Sequence, residues 1–398
     1  MPLKKFPQLL RFILNIFFKY FLQYTVTFFV ILQYGLKNKV QQGTKHVLLV
    51  RLDAIGDYIL FRNFIEVLKK HPKYCDYKIT LLGNAVWKDL AESLDKEYIT
   101  NFIWVDVKKF SSNLLYRYRK LVEITSINCE LLIHSTYSRT YDADNIVKLV
   151  NAKIKIASIG NLSNIKKWQK RISDKYYNQL IPARNGIIFE FYRNKEFFEK
   201  LLGEEIKIPR PHINISENNF PLKLPKSNYS VLFISASSEF KKWNIENFAQ
   251  VAKWIKNNLT YEIVLCGGKE DIKKVSVFER IYKNSYLNLV GKTSLTDLVF
   301  ILKNSKMLVS NETFIVHMAV ALGMRNTFVI YNGSHFGRFI PYPLEITTSY
   351  FPVYHPEIKK NLEKYESLSN TYRYRSKLDI NEIPADDVIN KINLVTKF

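Results

Sequence analysis

Two doubly wound α/β domains facing each other across a cleft are the fold class this sequence predicts. Three observations carry the prediction. From residue 45 onward, short aliphatic runs alternate with stretches of helical period, the pattern of parallel βαβ units. The alternation stops once, at a proline-rich stretch, and then restarts. The length, 398 residues, suits about two domains, each large enough for its own core.

The chain begins with a basic aromatic segment, residues 1–44. No Asp or Glu occurs before Asp53. Apolar and aromatic residues dominate from Phe6 to Gly35, and the longest uncharged run, Tyr20–Leu36, is at the short limit for crossing a membrane. Gln8, Arg11, Asn15, Lys19, Gln23 and Thr27 recur three or four residues apart, one polar stripe on a helix. That pattern predicts an amphipathic helix lying in a membrane interface, polar side toward anionic headgroups, with residues 1–40 dispensable for the fold. A transmembrane anchor and a helix packed on the protein itself are the alternatives. Arg11, Asn15 and Lys19 interrupt any signal-peptide core.

The first domain is read over 45–210. HVLLVRL (46–52) is a buried parallel strand, DAIGD a turn and YILFRNFIEVLKK (58–70) a helix. Strands follow at 77–83, 101–107 and 130–135, with a helix at 85–94. Residues 211–228, in a stretch holding Pro209, Pro211, Pro221 and Pro225, read as a linker. The second domain, 229–345, restarts with YSVLFISAS, a helix over 244–257, YEIVLCGG, a helix from Lys269 and LNLVG. A helix near 295–304, KMLVS, a helix near 313–322 and NTFVIYNG complete it. Residues 346–398 carry a final helix in IPADDVINKINLVTK.

Lys and Arg number 59 against 36 Asp and Glu, a net charge of +23 that points to an anionic partner: nucleic acid, lipid or a phosphorylated substrate. Hydrophobic residues at 47% and charged residues at 24% exclude a disordered chain. Cys75, Cys129 and Cys266 are too few and too scattered for a disulfide framework or a cysteine zinc site. Free thiols in a reducing compartment are expected. No P-loop, G-x-S-x-G or H-E-x-x-H occurs.

Four segments place reactive residue types at strand ends. In RLDAIGDYIL, Gly56 allows close backbone approach and Asp57 stands at a helix start, as a reactive carboxylate or simply a cap. In ISASSEFKKW, Ser235, Ser237 and Ser238 end a strand and Lys241 and Lys242 precede a helix, a setting for phosphate or a solvated basic loop. In IVLCGGKED, Gly267 and Gly268 lead to Glu270, which can accept ribose hydroxyls. In KMLVSNETFIVHMAVALG, Glu312 and Thr313 open a helix whose first amides, near Thr313 and Phe314, suit a pyrophosphate. His317 lies one turn in, as a ligand contact or a core histidine. Asp142 and Asp144 imitate an Asp-x-Asp metal pair but read better as caps of the following helix, so no metal site is assigned.

In this order the segments resemble glycosyltransferase family 9, the heptosyltransferase-like enzymes of bacterial lipopolysaccharide assembly. The resemblance covers about residues 45–345: LLVRLDAIGDYIL, FKKWNIENFAQVA with Lys241 before Trp243, LCGGKED, and LNLVGKTSLTDLVFILKNSKMLVSNETFIVHMAVALG. It implies a GT-B fold of two Rossmann-like domains, acceptor in the first and nucleotide-sugar donor in the second. It implies inverting transfer of heptose or a related sugar without metal or cofactor, the nucleotide sugar being a substrate. Asp57 becomes the general base and Lys241 the group that meets charge on the leaving diphosphate. Glu270 becomes the ribose contact, Thr313 the phosphate contact and Glu312 the contact to the donor sugar. Ser235, Ser237, Lys242, Gly267, Gly268, Phe314 and His317 join the donor site; Arg62, His335 and Arg338 are acceptor or loop contacts. Two segments depart from the family: Glu312-Thr313-Phe314 stands for Asp-Thr-Gly, and NGSHFGRFIPYP, with Gly333 and Gly337, replaces a Gly-Pro-Thr-Asp-Pro loop.

The basic N-terminal segment fits a lipid-linked glycan acceptor at the anionic inner leaflet, on the cytoplasmic face of the inner membrane, with the protein peripheral or monotopic. A Rossmann oxidoreductase would carry G-x-G-x-x-G after its first strand, and RLDAIGD does not. An inert membrane scaffold and a basic nucleic-acid-binding protein remain as other classes. No nucleic-acid motif appears and the basic residues are spread through the chain, so no nucleic-acid partner is expected.

Overall fold

The computed structural model describes residues 21–34, 44–215 and 223–397. Residues 21–34 form helix α1. The first domain then runs β1 (His46–Arg51), α2 (Ile55–Phe61), α3 (Asn63–Lys70), β2 (Lys78–Asn84), α4 (Lys88–Leu94), β3 (Asn101–Val105), α5 (Val107–Ser112) and α6 (Leu114–Thr125). It continues with β4 (Asn128–His134), α7 (Tyr141–Leu149), β5 (Asn151–Ser158), α8 (Lys167–Ser173), β6 (Gln179–Ile181) and α9 (Glu190–Leu202). The second domain runs β7 (Tyr229–Phe233), α10 (Ile245–Leu259), β8 (Glu262–Cys266), α11 (Ile272–Ile281), β9 (Leu287–Asn288), α12 (Leu295–Lys303) and β10 (Met307–Asn311). After it come α13 (Phe314–Ala321), β11 (Thr327–Tyr331), β12 (Tyr350–Tyr354), α14 (Pro356–Lys359), α15 (Tyr365–Tyr372) and α16 (Ala385–Thr396).

Each domain holds a parallel six-stranded sheet, ordered β3-β2-β1-β4-β5-β6 and β12-β11-β10-β7-β8-β9. Counted from its own first strand, the second sheet repeats the order of the first. Helices cover both faces of a parallel sheet, so its central strands are apolar without alternation. Accordingly β7, β10 and β11 are buried at every residue. The strand order reverses between β1 and β4 and again between β7 and β10. Successive crossovers leave these points in opposite directions, which opens a crevice at the carboxyl ends of the strands. Local chemistry fixes the helix starts beside it. Thr140 accepts the Ala143 amide to cap α7, and Ser294 and Asp297 form a reciprocal cap on α12.

Several elements differ from the sequence reading. The first helix begins at Ile55, so Gly56 and Asp57 occupy its first turn, where a carboxylate suits the positive end of the helix dipole. Strand β5 was not legible because Lys153 and Lys155 break its apolar pattern. Strand β12, YFPVY, is an edge strand and so tolerates Pro352, and it places the sixth strand of the second sheet inside 346–398. The linker is strapped down where it is described: the His212 amide donates to Asn63 Oδ1 (2.9 Å) and the Ile213 amide to the Ala321 carbonyl (2.9 Å). Residues 216–222, with Pro221, lie outside the described residues.

Helix α1 packs on the first domain. Val30 is fully buried among Leu48, Val50 and Phe110, and Gln23 Nε2 donates to the Ser111 carbonyl (2.7 Å). Gln23 and Thr27, expected to face headgroups, point into the protein, while Phe21, Phe28, Phe29 and Leu32 face outward. A buried Gln23 also means that residues 1–40 are not all dispensable. Gln8, Arg11, Asn15 and Lys19 lie outside the described residues. Among the described residues, no helix is long and apolar enough to cross a membrane.

Candidate functional site

The crevices of the two sheets meet in one cavity of ≈ 420 Å³. The first domain lines it with residues after β1 (Asp53 to Asp57) and with residues at and after the end of β4 (His134, Thr136, Ser138 and Thr140). The second contributes residues that follow β7 (Ser237, Lys241), β10 (Glu312 to His317) and β11 (His335 to Phe339). The reversal point of each sheet therefore supplies half of the site.

Asp57 projects into this cavity from the first turn of α2. Burial pushes its carboxyl up to about 7, the neighbouring charges of Asp53 and Glu190 add to the rise, and Arg338 and Arg51 oppose it. Asp53 is held by Arg51 Nε (2.8 Å), and burial raises it against that pull. Arg51 is wholly buried, its guanidinium 4.5 Å over the Phe61 ring and its Nη1 donating to Asn194 Oδ1 (3.0 Å) and Ser135 Oγ (3.2 Å). Glu190, the first residue of α9, receives Arg338 Nε from the second domain (3.0 Å) and donates its own amide to the Arg338 carbonyl (2.8 Å). The carboxylate cluster around Asp57 is thus tied across the cleft.

On the opposite wall Lys241 Nζ lies 2.5 Å from Glu312 Oε2 and 3.5 Å from His335 Nδ1. Burial pushes the Glu312 carboxyl up, and Lys241 counters it. Thr313 sits at the N-cap of α13, its side chain making no capping bond, so hydroxyl and helix amides are available to a ligand. Phe314 packs edge-on against Phe233 (5.5 Å). His317 is buried and bonds Tyr342 through Nδ1 (2.6 Å). Burial, with Lys241 nearby, lowers both His317 and His335 to about 3, so both imidazoles are neutral near pH 7.

The cavity thus gathers Asp57, Ser237, Lys241, Glu312, Thr313, Phe314, His317, His335 and Arg338. Ser235, Lys242, Gly267, Gly268 and Glu270 lie outside it, at the ends of β7 and β8. There Ser235 donates to Glu270 (3.1 Å), and Lys242 pairs with Glu239 (2.7 Å) and Asp271 (3.4 Å). Arg62, expected as an acceptor contact, is instead buried in an ion pair with Asp95 (2.6 Å) and donates to the His212 carbonyl (2.7 Å). It holds linker to helix and does not line the cavity. Asp142 faces Arg117 (3.1 Å), whereas Asp144 is buried against Arg139 (3.3 Å) and Tyr177 (2.6 Å), so the two point to different partners. Among the described residues no cluster of three or more His, Cys, Asp or Glu could hold a metal ion.

Sequence reading missed Arg51, Asp53, His134 and Glu190. Arg51 and Asp53 had a signal: a charged pair ending an otherwise aliphatic buried strand. Glu190 had none, because only the packing of α9 on α2 brings it to the site.

The family described as glycosyltransferase family 9 (heptosyltransferase) matches residues 167–367, just over half of the chain. No curated protein matches it. Among solved structures, a family 9 glycosyl transferase from Veillonella parvula is similar at 18% identity and TM-score 0.67, over 90% of this chain and 99% of that one. Escherichia coli heptosyltransferase WaaC with ADP is similar at 14% identity and TM-score 0.65, over 88% and 99%. Escherichia coli ADP-heptose lps heptosyltransferase II follows at 15% and 0.60, over 88% and 98%.

Proposed function

The chain belongs to glycosyltransferase family 9, with two Rossmann-like domains in the GT-B arrangement, and from that premise we propose an inverting sugar transfer performed by Asp57 and Lys241 across the cavity. The acceptor hydroxyl gives its proton to the Asp57 carboxylate as its oxygen bonds the anomeric carbon from the face opposite the leaving group. The bond from that carbon to the diphosphate oxygen breaks with its electron pair, and a nucleoside diphosphate leaves. Lys241 and the first amides of α13 meet the charge that develops there. A carboxyl titrating at about 7 suits proton removal near neutral pH. Lys241 exchanges its Glu312 partner for the donor diphosphate, which leaves Glu312 to hydrogen-bond the donor sugar.

The donor is a nucleotide sugar carrying heptose or a related sugar, with Thr313 at its phosphates and Glu270 at its ribose. The acceptor is a lipid-linked glycan, of lipopolysaccharide-core type, reached at the cytoplasmic face of the inner membrane. One observation carries the reading: Asp57 at the reversal point of the first sheet and Lys241 at that of the second line the same cavity.

The test is incubation with a panel of nucleotide sugars while nucleoside diphosphate release is followed. Release from one donor, dependent on a glycan acceptor and insensitive to excess EDTA, is expected. Donor-induced thermal stabilisation with no release under any acceptor would favour an inert relative.

A further inference from the structure

The outward face of α1 is apolar. Phe21, Phe28, Phe29 and Leu32 are 56–61% exposed. At 100° per residue they fall within one arc of about 100°, on the side opposite the arc that buries Gln23, Thr27 and Val30. A soluble surface rarely shows four large apolar side chains in one stripe. The stripe does not end with the helix. Tyr24 meets Tyr141 (5.8 Å between ring centroids), and Tyr141 meets Trp168 on α8 (6.1 Å). Trp168 and Ile172, one turn apart, are exposed, as is Leu115 on α6, the helix whose Tyr118 bonds Gln33 of α1 (3.1 Å).

The unpaired charge beside α8 is positive. Lys166, Lys167 and Arg171 on and beside α8 are exposed and have no ion-pair partner among the described residues. The nearby carboxylates are already engaged: Asp142 by Arg117 (3.1 Å), and Asp174 by Arg139 and Lys170 (2.6 Å for the lysine). Exposed aromatics beside unpaired lysines are the chemistry of a bilayer interface with anionic headgroups, where rings enter the acyl boundary and ammonium groups stay at the phosphates.

We propose that α1 and α8 together form a docking face that seats the first domain on an anionic lipid bilayer and presents the catalytic cavity at its surface. The face borders the cavity directly. Thr140 lines the cavity and precedes Tyr141, and Asn164 lines it just before Lys166. A lipid anchored in the bilayer would reach Asp57 past these residues. The proposal deepens the reading of a lipid-linked acceptor and rests on it for purpose, but its test needs no substrate. It differs from docking by the polar stripe of α1, which is turned inward.

The experiment uses the full chain and vesicles of phosphatidylcholine, alone or mixed with phosphatidylglycerol, read by co-sedimentation and tryptophan emission. The expected result is binding to the mixed vesicles, with a blue shift that Trp168→Ser removes. The double substitutions Phe28→Ser with Phe29→Ser, and Lys166→Glu with Lys167→Glu, should each weaken partitioning about tenfold or more. Both pairs are exposed, and an unchanged thermal midpoint and nucleotide response would show that fold and donor site persist. Wild-type binding by both double variants would overturn the proposal. So would a chain that ignores mixed vesicles and is dimeric by light scattering, with a second copy or another segment covering the stripe. Loss of vesicle binding with transfer intact on a soluble acceptor would support the docking face and leave the catalytic reading untouched.

Discussion

Gly56 of α2 lies against the imidazole of His317 on α13, so that the two domains touch beside Asp57. A Cβ added at Gly56 would sit 2.8 Å from His317 Cδ2 and 3.8 Å from Phe314 Cα. His317 cannot easily retreat, being buried and bonded to Tyr342 (2.6 Å). The glycine is needed for close approach and not for its backbone angles, since α2 is ordinary helix there.

Gly56→Ala is therefore expected to hold the cleft apart. Overpacking of this kind costs about 1–3 kcal/mol. Turnover should fall roughly tenfold or more at saturating donor, with a larger radius of gyration by solution scattering. Unchanged scattering and turnover would mean that the contact does not belong to the catalytic state.

The pH dependence follows from the charges around Asp57. As a base it must be ionised, so turnover should fall as pH drops through about 7. Arg338 lowers this value and Asp53 raises it. Arg338→Gln should move the acidic limb to higher pH and Asp53→Asn to lower pH, each by about half a unit or more. Shifts of the same sign, or none, in pH–rate profiles would remove Asp57 from that limb.

The same shift sets a stability trend. The ordinary value for the unfolded chain is 3.8 and the folded value is about 7. Between them the native state holds a proton that the unfolded state has lost, so native stability falls as pH rises through this window. Asp57→Asn, which does not titrate, should gain in Tm over the wild type across it, by about 2 °C or more at pH 8. A thermal-shift series from pH 4 to 8 checks the sign; a constant difference would contradict it.

Truncation separates the two parts of the N-terminal segment. Removing residues 1–20 leaves α1 in the chain and serves as the reference for the longer truncation. Removing 1–40 uncovers Leu48, Val50 and Phe110, which Val30 now covers, and strips the Gln23 bond to Ser111. That loss should lower Tm by about 5 °C or more. Equal midpoints for the two truncations would show that α1 contributes nothing to the fold.

The sequence made the strand ends legible and the cross-domain ties not. HVLLVRL and KMLVS announce buried strands by composition, and the residues just after them, Asp57 and Glu312, follow from the topology of a parallel sheet. Glu190 could not be found this way, since its place beside Asp57 depends on how α9 packs on α2 and how Arg338 reaches over. Arg62 looked available because a basic residue in an apolar helix gives no hint of Asp95 waiting at the end of α4. For α1 the two faces were readable but not their partners. Periodicity separates Gln23 from Phe28, but the inward side is set by contacts distant in sequence, the Ser111 carbonyl that accepts from Gln23 and the cluster of Leu48, Val50 and Phe110 that takes Val30.

Transfer requires Asp57 to take the acceptor proton, and Asp57→Asn tests this most directly. Asp57 lies in the first turn of α2 and the helix has no side-chain cap, so a merely structural role is a charge–dipole contribution of about 0.3–1 kcal/mol to stability, and its loss would leave turnover nearly intact. With donor and acceptor saturating, the expected result is a turnover loss of roughly 10²–10⁴, about 3–5 kcal/mol, with donor affinity kept within about threefold. Turnover within about threefold of wild type, ~0.6 kcal/mol, would contradict Asp57 as the base.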